Sequence, residues 1–242
     1  MTGREQLLSS LSRVEDPNSS GRQMSGHFSH RNYRIVTQSS ATGTQYLQAV
    51  GTAMAVVRSG ENEIVYVSSG EGATSEGDFH EALNWSSRER LPVIFHIQDN
   101  KYAISVHVSE QTAGSVYDLS AGYSHLARFQ VDGVDLFESH LAFQKAVDRA
   151  RKGKGPSVIV SDVVRLLSHS SSDDQRKYRS EEELETDRKR DPILKLREDC
   201  IAAEIVKSED FDKIDERMAH QVGEDALWAE SRPHPSPETA PD

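Results

Sequence analysis

Cysteine is almost absent: Cys200 is the only one in 242 residues, which removes intrachain disulfides and any thiolate cage for zinc. Positive charge is also short, with 28 Lys and Arg against 39 Asp and Glu and a formal net charge of −11. That balance argues against nucleic acid as the main partner. No apolar run approaches the ~18 residues of a spanning helix, so no membrane association is expected. Residues 1–14 carry no apolar core of a secretory signal, so the expected location is the cytoplasm. Hydrophobic residues make up only 36% and the mean hydropathy is −0.63, so part of the chain is expected to lie outside any core. The length suits one full α/β domain, or one and a half of ordinary size.

What is present is an alternation of strand and helix patterns. Residues 44–58 repeat Leu47, Val50, Met54 and Val57 at helical steps, and the small residues Ala49, Gly51, Ala53 and Ala55 would let another backbone approach closely. Ile64 to Val67 is a short β-branched run expected to be a buried strand. A helix follows over residues 75–90, stopped by Leu91-Pro92, and Val93 to Ile97 is a second buried strand. Strand, helix and strand in so short a span make a βαβ unit with parallel pairing. Further strands are expected over 127–131 and 157–163, with a helix over 139–151 between them. The fold class is therefore α/β, a parallel sheet covered by helices on both faces. Residues 168–190 read as a serine-rich and then charged surface loop leading into a helix, and Asp191-Pro192 starts another. Residues 207–229 are helical and polar, and 231–242, with four of the eight prolines, read as a linker.

In an open parallel sheet, ligands bind outside the carboxyl ends of the strands. The first strand of the βαβ unit runs into Gly70-Glu71-Gly72 and the second into Gln98-Asp99-Asn100-Lys101-Tyr102. Glu71 and Asn100 are then neighbours in space. A carboxylate and a carboxamide oxygen are hard ligands suited to Mg²⁺, which completes its shell with water and phosphate oxygens. Gly70 and Gly72 would let the backbone approach a phosphate, and the following helix would offer its amides to that charge. A Gly-Glu-Gly by itself is more often an ordinary strand-to-helix turn.

The spacing decides between these readings. Gly-Glu-Gly followed after 27 residues by Asn100 resembles the thiamine-diphosphate motif. The segment GEGATSEGDFHEALNWSSRERLPVIFHIQDNKYAIS, with GRQMSGHFSHRNYRIVTQSSATGTQ before it and SHSSSDDQRKYRS after it, is similar to the alpha subunit of the decarboxylating first component of 2-oxo-acid dehydrogenase complexes. The resemblance covers residues 21–196, and the Gly-Glu-Gly form is more like the branched-chain enzymes than pyruvate dehydrogenase. It implies a thiamine-diphosphate-binding domain over residues 21–206, preceded by a polar segment 1–20 and followed by a helix and Pro-rich linker over 207–242. It also implies decarboxylation of a small 2-oxo acid on thiamine diphosphate with transfer of the acyl group to lipoamide. The implied partners are a beta-type subunit or half and a lipoyl-bearing acyltransferase core, in a hetero-oligomer.

Carried onto this chain, the resemblance implies Mg²⁺ held by Glu71, Asn100 and the carbonyl of Tyr102. Gly70, Gly72 and Ala73 would border the diphosphate, and Ser40 and Thr42 would meet the cofactor ring. Ser39, Ala41, Thr44 and Gln45 match a site for a monovalent cation such as K⁺. His169 matches the loop histidine that contacts the cofactor and assists acyl transfer. An exposed histidine among serines is ordinarily a solvated side chain, but an imidazole can give and take a proton near neutral pH. His80 and His96 read as structural. Ser170 matches a serine phosphorylated in relatives under kinase control, which is not expected here.

Three departures stand out. Ser168 precedes His169 where the family has His or Gly, and Asp99 replaces the first Asn of an Asn pair. The family's Tyr-Arg pair on the diphosphate and its activating glutamate from the beta subunit have no counterpart here, so the isolated chain is expected to be inactive. The rivals are another thiamine-dependent enzyme, such as a transketolase-like one or acetoin dehydrogenase, and a non-catalytic fragment.

Overall fold

The computed structural model describes residues 2–24, 26–37 and 39–239; Ser25 and Gln38 of the family-like segment and residues 240–242 of the expected linker lie outside them. Thr2 caps helix α1 (Gly3–Ser10) with a reciprocal pair of bonds, Glu5 N donating to Thr2 Oγ1 at 3.3 Å and Thr2 N to Glu5 Oε2 at 2.6 Å. The chain divides into two compact units, one formed by residues 1–40 with 200–242 and the other by residues 41–199.

The second unit is the expected α/β sheet. Helix α2 (Gln45–Ser59) ends on Gly60 in the left-handed conformation, φ +71°. Strand β1 (Val65–Gly70) is followed by a 3₁₀ turn over Glu71–Ser75, then by α3 (Gly77–Glu89) and β2 (Val93–Asp99). A hairpin, β3 (Tyr102–Ala103) and β4 (Val106–His107), leads through the short helices α4 (Val108–Gln111) and α5 (Val116–Leu119) to β5 (Ala127–Asp132). Helix α6 (Leu136–Arg151) begins three residues before its expected start because Asp135 caps it, accepting from Phe137 N and Glu138 N. Strand β6 (Ser157–Asp162) completes a four-stranded parallel sheet in the order β1-β2-β6-β5.

Strand parity divides the core. Val93, Phe95 and Ile97 of β2 point to α2 and α3, packing with Tyr46, Val50, Ala53, Phe79 and Leu83. Ile94 points the other way, with Ile159 and Val131, onto Ala142 and Ala146 of α6. Both faces are covered, as a parallel sheet requires. The small-residue stripe of α2 is half used by this packing: Ala49 and Ala53 are buried against the sheet, while Gly51 and Ala55 are exposed. Val57, expected on the apolar face, is exposed and Val56 is buried in its place.

The βαβ unit departs from expectation at two of its elements. The run from Ile64 is not a buried strand: β1 lies at the edge of the sheet, and Tyr66 is 54% exposed, its hydroxyl meeting His96 Nδ1 at 2.9 Å. An edge strand has a neighbour on one side only, and of this one only Val67 is fully buried. The helix expected from residue 75 begins at Gly77, and the residues immediately after Glu71 form the 3₁₀ turn instead.

After β6 the serine-rich stretch leads into α7 (Glu181–Lys189), capped by Ser180 with an acidic first turn and a basic last one, and α8 (Pro192–Ala202). Helix α9 (Ser208–Glu230) belongs to the first unit, where Asp225 accepts from Arg4 Nε of α1 at 2.6 Å. The residues beyond α9 are not a free linker as far as Thr239. Val14 N donates to Pro233 O at 3.0 Å, Arg13 Nη1 to Arg232 O at 3.0 Å, and Arg22 Nη2 to Thr239 O at 3.2 Å.

Candidate functional site

The parallel pairing that sets Gly70 opposite Gln98 brings the ends of β1 and β2 together. Glu71, the first residue beyond β1, is 1% exposed. Its Oε2 accepts the backbone N–H of Asn100, the first residue beyond β2, at 3.2 Å. Its Oε1 is buried and has no hydrogen-bond partner among the described residues. Burial pushes the Glu71 carboxyl above the usual carboxylate range; hydrogen bonds from its own amide and Asn100 pull it down, Asp99 pushes it up, and Lys101 lowers it. A buried carboxylate with a bare oxygen is costly unless a cation or proton meets it.

Asn100 Oδ1 accepts from Tyr102 N at 3.1 Å, closing a tight turn in which Lys101 is left-handed at φ +72°. The donor set offered here is a carboxylate, a carboxamide oxygen and main-chain carbonyls. All are hard oxygens, with one negative charge, which fits a Mg²⁺ ion that takes its remaining ligands from phosphate and water. Among the described residues no group of three His, Cys, Asp or Glu side chains could hold a metal, and the expected set contains only one residue of those types.

Neither Gly70 nor Gly72 has positive φ. A Cβ on Gly72 would lie 2.8 Å from Ala103 Cβ, so its bareness lets the β3–β4 hairpin close over the turn. Ala73 turns its side chain into the core, leaving only its main chain for a ligand. The Glu71 carbonyl is held by Thr74 Oγ1 at 2.7 Å and by Gln111 Nε2 at 3.4 Å. Sequence reasoning missed both residues; the Thr lies within the motif, but nothing marked Gln111.

Of the residues assigned to the cofactor ring and monovalent cation, Ser39 and Ser40 belong to the first unit, where Ser40 Oγ meets His27 Nε2 at 2.8 Å. Ala41, Thr42, Thr44 and Gln45 lead into α2 in the second unit, and Thr44 Oγ1 donates to the Ala41 carbonyl at 2.9 Å.

His169 lies on the loop after β6, which leaves the same end of the sheet as Glu71 and Asn100. The residue is exposed, and its main-chain N–H donates to Asp173 Oδ2 at 2.9 Å. Among the described residues no hydrogen bond joins it to Glu71, Asn100 or Tyr102. The two regions meet through Tyr102 instead. Its hydroxyl donates to Glu183 Oε2 at 3.2 Å, and the Arg179 and Arg165 guanidinium carbons lie 5.2 and 5.4 Å from its ring centre. Arg165 also donates to the Ile104 carbonyl at 2.8 Å and to Tyr178 Oη at 2.7 Å. Arg165 and Glu183 carried no signal in the sequence. A recess of about 450 Å³ lies in this loop, lined by residues including Leu166, Ser168, Gln175 and Leu184, and Glu71, Asn100 and Tyr102 are not among its walls. His96, bridging Tyr66 and Ser161 Oγ, has the expected structural place, and burial lowers its pKa.

A doubly covered parallel sheet that brings a buried carboxylate and a carboxamide to adjacent strand ends is an α/β domain of the class that binds ligands at the carboxyl ends of its strands. The family profile described as dehydrogenase E1 component matches residues 2–238. The chain is 40% identical over 247 aligned residues to the 2-oxoisovalerate dehydrogenase subunit alpha of Bacillus subtilis, covering 100% of this chain and 73% of that one. It is 42% identical over 156 residues to the 3-methyl-2-oxobutanoate dehydrogenase subunit alpha of Mycobacterium tuberculosis. Over the same length it is 37% identical to the pyruvate dehydrogenase E1 component subunit alpha of Staphylococcus aureus. Those two alignments cover 64% of this chain and 42% of each relative. The chain belongs to the dehydrogenase E1 component family. Among the described residues no helix is long and apolar enough to cross a membrane.

Proposed function

We propose that this chain is the alpha-type part of a thiamine-diphosphate-dependent dehydrogenase that decarboxylates a branched 2-oxo acid and passes the acyl group to lipoamide. The observation that carries the reading is the buried Glu71 carboxylate, with Oε1 bare and Oε2 on the main chain of Asn100 at the neighbouring strand end. Glu71, Asn100 Oδ1 and the Tyr102 carbonyl would hold Mg²⁺, with the main chain of Gly70, Gly72 and Ala73 along the diphosphate. In the same unit, Thr42 would meet the cofactor ring, and Ala41, Thr44 and Gln45 would take a monovalent cation. When bound, thiamine diphosphate supplies the electron sink that lets a 2-oxo acid lose carbon dioxide.

The chain's own residues bind, orient and move protons. Glu71 would supply the one negative charge of the oxygen set that holds the dication. His169 stands on a loop whose base is tied to Tyr102 through Arg165 and Arg179, and its imidazole gives and takes the proton needed in acyl transfer. The same reading calls for a beta-type subunit to complete the site, a lipoyl-bearing acyltransferase as acceptor, and a cytoplasmic setting. The test is calorimetric titration of thiamine diphosphate into the full chain assembled with its beta-type partner, with and without Mg²⁺. Mg²⁺-dependent binding that disappears in Glu71→Ala is expected; equal binding by parent and variant overturns the assignment.

A further inference from the structure

Asp99, Asp162 and Asp132 end three neighbouring strands in register, Asp99 opposite Asp162 and Asp162 opposite Asp132. Like charges directly opposite one another across parallel strands are destabilising unless cations lie between them. Two cations do. Lys101 Nζ is 2.7 Å from Asp99 Oδ2 and 3.2 Å from Asp162 Oδ1. Arg190 Nη2 is 3.0 Å from Asp132 Oδ1 and 3.6 Å from Asp162 Oδ2. Asp99 is the most enclosed of the three carboxylates, at 8% exposure, so removing its partner would strand a charge with little water around it.

Lys101 is also the left-handed centre of the turn that follows β2. Its own N–H donates to Asp99 Oδ1 at 3.0 Å and its carbonyl accepts from Val108 N at 2.8 Å. Residues on either side of it are fixed by the turn: Asn100 N goes to Glu71, and Tyr102 N goes to Asn100 Oδ1. A left-handed conformation is unfavourable for a residue with a Cβ, so this turn needs something to hold it closed, and the ammonium between two carboxylates does so. We propose that Lys101 is a positioning residue: by bridging Asp99 and Asp162 it presets Asn100 and the Tyr102 carbonyl for the metal ion and keeps Asp99 from competing as a ligand. The proposal rests on the metal reading of Glu71 and Asn100.

The test is a Mg²⁺ titration of thiamine diphosphate binding, read by calorimetry on the full chain assembled with its beta-type partner. Lys101→Met should raise the half-saturating Mg²⁺ concentration about 10- to 100-fold, the usual cost of losing a group that orients a metal's ligands. Adding Asp99→Asn to Lys101→Met removes the stranded charge and should recover most of the loss. Should Lys101→Met fail to assemble, Lys101→Gln, which keeps a polar side chain beside the two carboxylates but no charge and leaves the backbone preference unchanged, serves for the same titration. An unchanged Mg²⁺ requirement in the Lys101 variant overturns the proposal, as does a double variant no better than the single one. A fall in thermal midpoint without a shift in Mg²⁺ requirement assigns Lys101 to stability alone and also overturns it. A parent protein that binds thiamine diphosphate without regard to Mg²⁺ fails the metal reading itself, before Lys101 is altered.

Discussion

Glu71 and His169 follow two strands of one parallel sheet, β1 and β6, and are held in opposite ways. Glu71 is enclosed by a 3₁₀ turn, a hairpin and the neighbouring strand end, with its carboxylate on a main-chain N–H. His169 is exposed, on a loop held through its base by Arg165, Tyr178 and Arg179. A metal site needs fixed oxygens, because misplacing one ligand weakens all the others. A residue that serves an incoming acceptor needs access, and a loop provides it. Binding and transfer should therefore be separable by mutation. The largest effect is expected at the enclosed end. Glu71→Ala should abolish Mg²⁺-dependent binding of thiamine diphosphate, since neutral oxygens alone cannot balance a dication against a diphosphate. Residual binding within a few-fold of the parent in calorimetry would erase the contrast.

The next effect belongs to the loop. His169→Ala in the reconstituted enzyme should keep cofactor affinity within a few-fold and lose about 10²- to 10⁴-fold in the lipoamide reaction. Decarboxylation measured with an artificial electron acceptor beside the lipoamide assay separates the two steps. Equal slight losses in both would return His169 to a solvated side chain. Smaller, and structural, is the effect at the loop's base. The Arg179 side chain is 1% exposed and bonds to Glu183, Asp187, the Arg165 carbonyl and Gln175. Arg179→Met should cost about 1–3 kcal/mol in urea unfolding, because the partly exposed carboxylates and the part-buried Arg165 carbonyl can recover water while the buried Gln175 amide oxygen cannot. The same variant should impair the lipoamide reaction more than cofactor binding. A loss confined to cofactor binding would show that Arg179 serves the strand ends rather than the loop.

The enclosed region was legible in the sequence and the braced one only in outline. Gly70-Glu71-Gly72 and Asn100 stand at strand ends, and strand ends follow from β-branched runs bounded by turn residues, so their meeting could be read from topology alone. The hairpin β3–β4 could not: its bend puts Ile104, a β-branched residue, at φ +55°, where a turn normally advertises Asn or Gly. Arg165 and Glu183 meet Tyr102 from distant parts of the chain, and no local pattern encodes that. The grouping of residues 1–40 with 200–242 escaped for the same reason, since Arg4 and Asp225 are 221 positions apart. Asp99 read as a departure from pattern; its bond to Lys101 is local, but the second carboxylate on that ammonium, Asp162, comes from β6, and no local pattern encodes it.

The smallest effect tests whether Glu71 is as enclosed as its surroundings indicate. Burial raises its folded pKa above the unfolded one, opposed in part by hydrogen bonds from its own amide and Asn100. Between those two values the folded chain holds the proton and the unfolded chain has lost it, so the unfolded state binds fewer protons and stability falls as pH rises. The contribution is fully present below the ordinary carboxylate range and lost once pH passes the raised folded value. In metal-free buffer, the parent's unfolding free energy should therefore decline through that window relative to Glu71→Gln, whose side chain keeps its shape and does not titrate. Mg²⁺ with thiamine diphosphate should reverse the trend, because a bound dication displaces the proton and favours the charged carboxylate. Urea unfolding at a series of pH values, parent against Glu71→Gln, measures the difference directly. Parallel curves for the two proteins would mean that water reaches the carboxylate, and the contrast between an enclosed Glu71 and an exposed His169 would lose its physical basis.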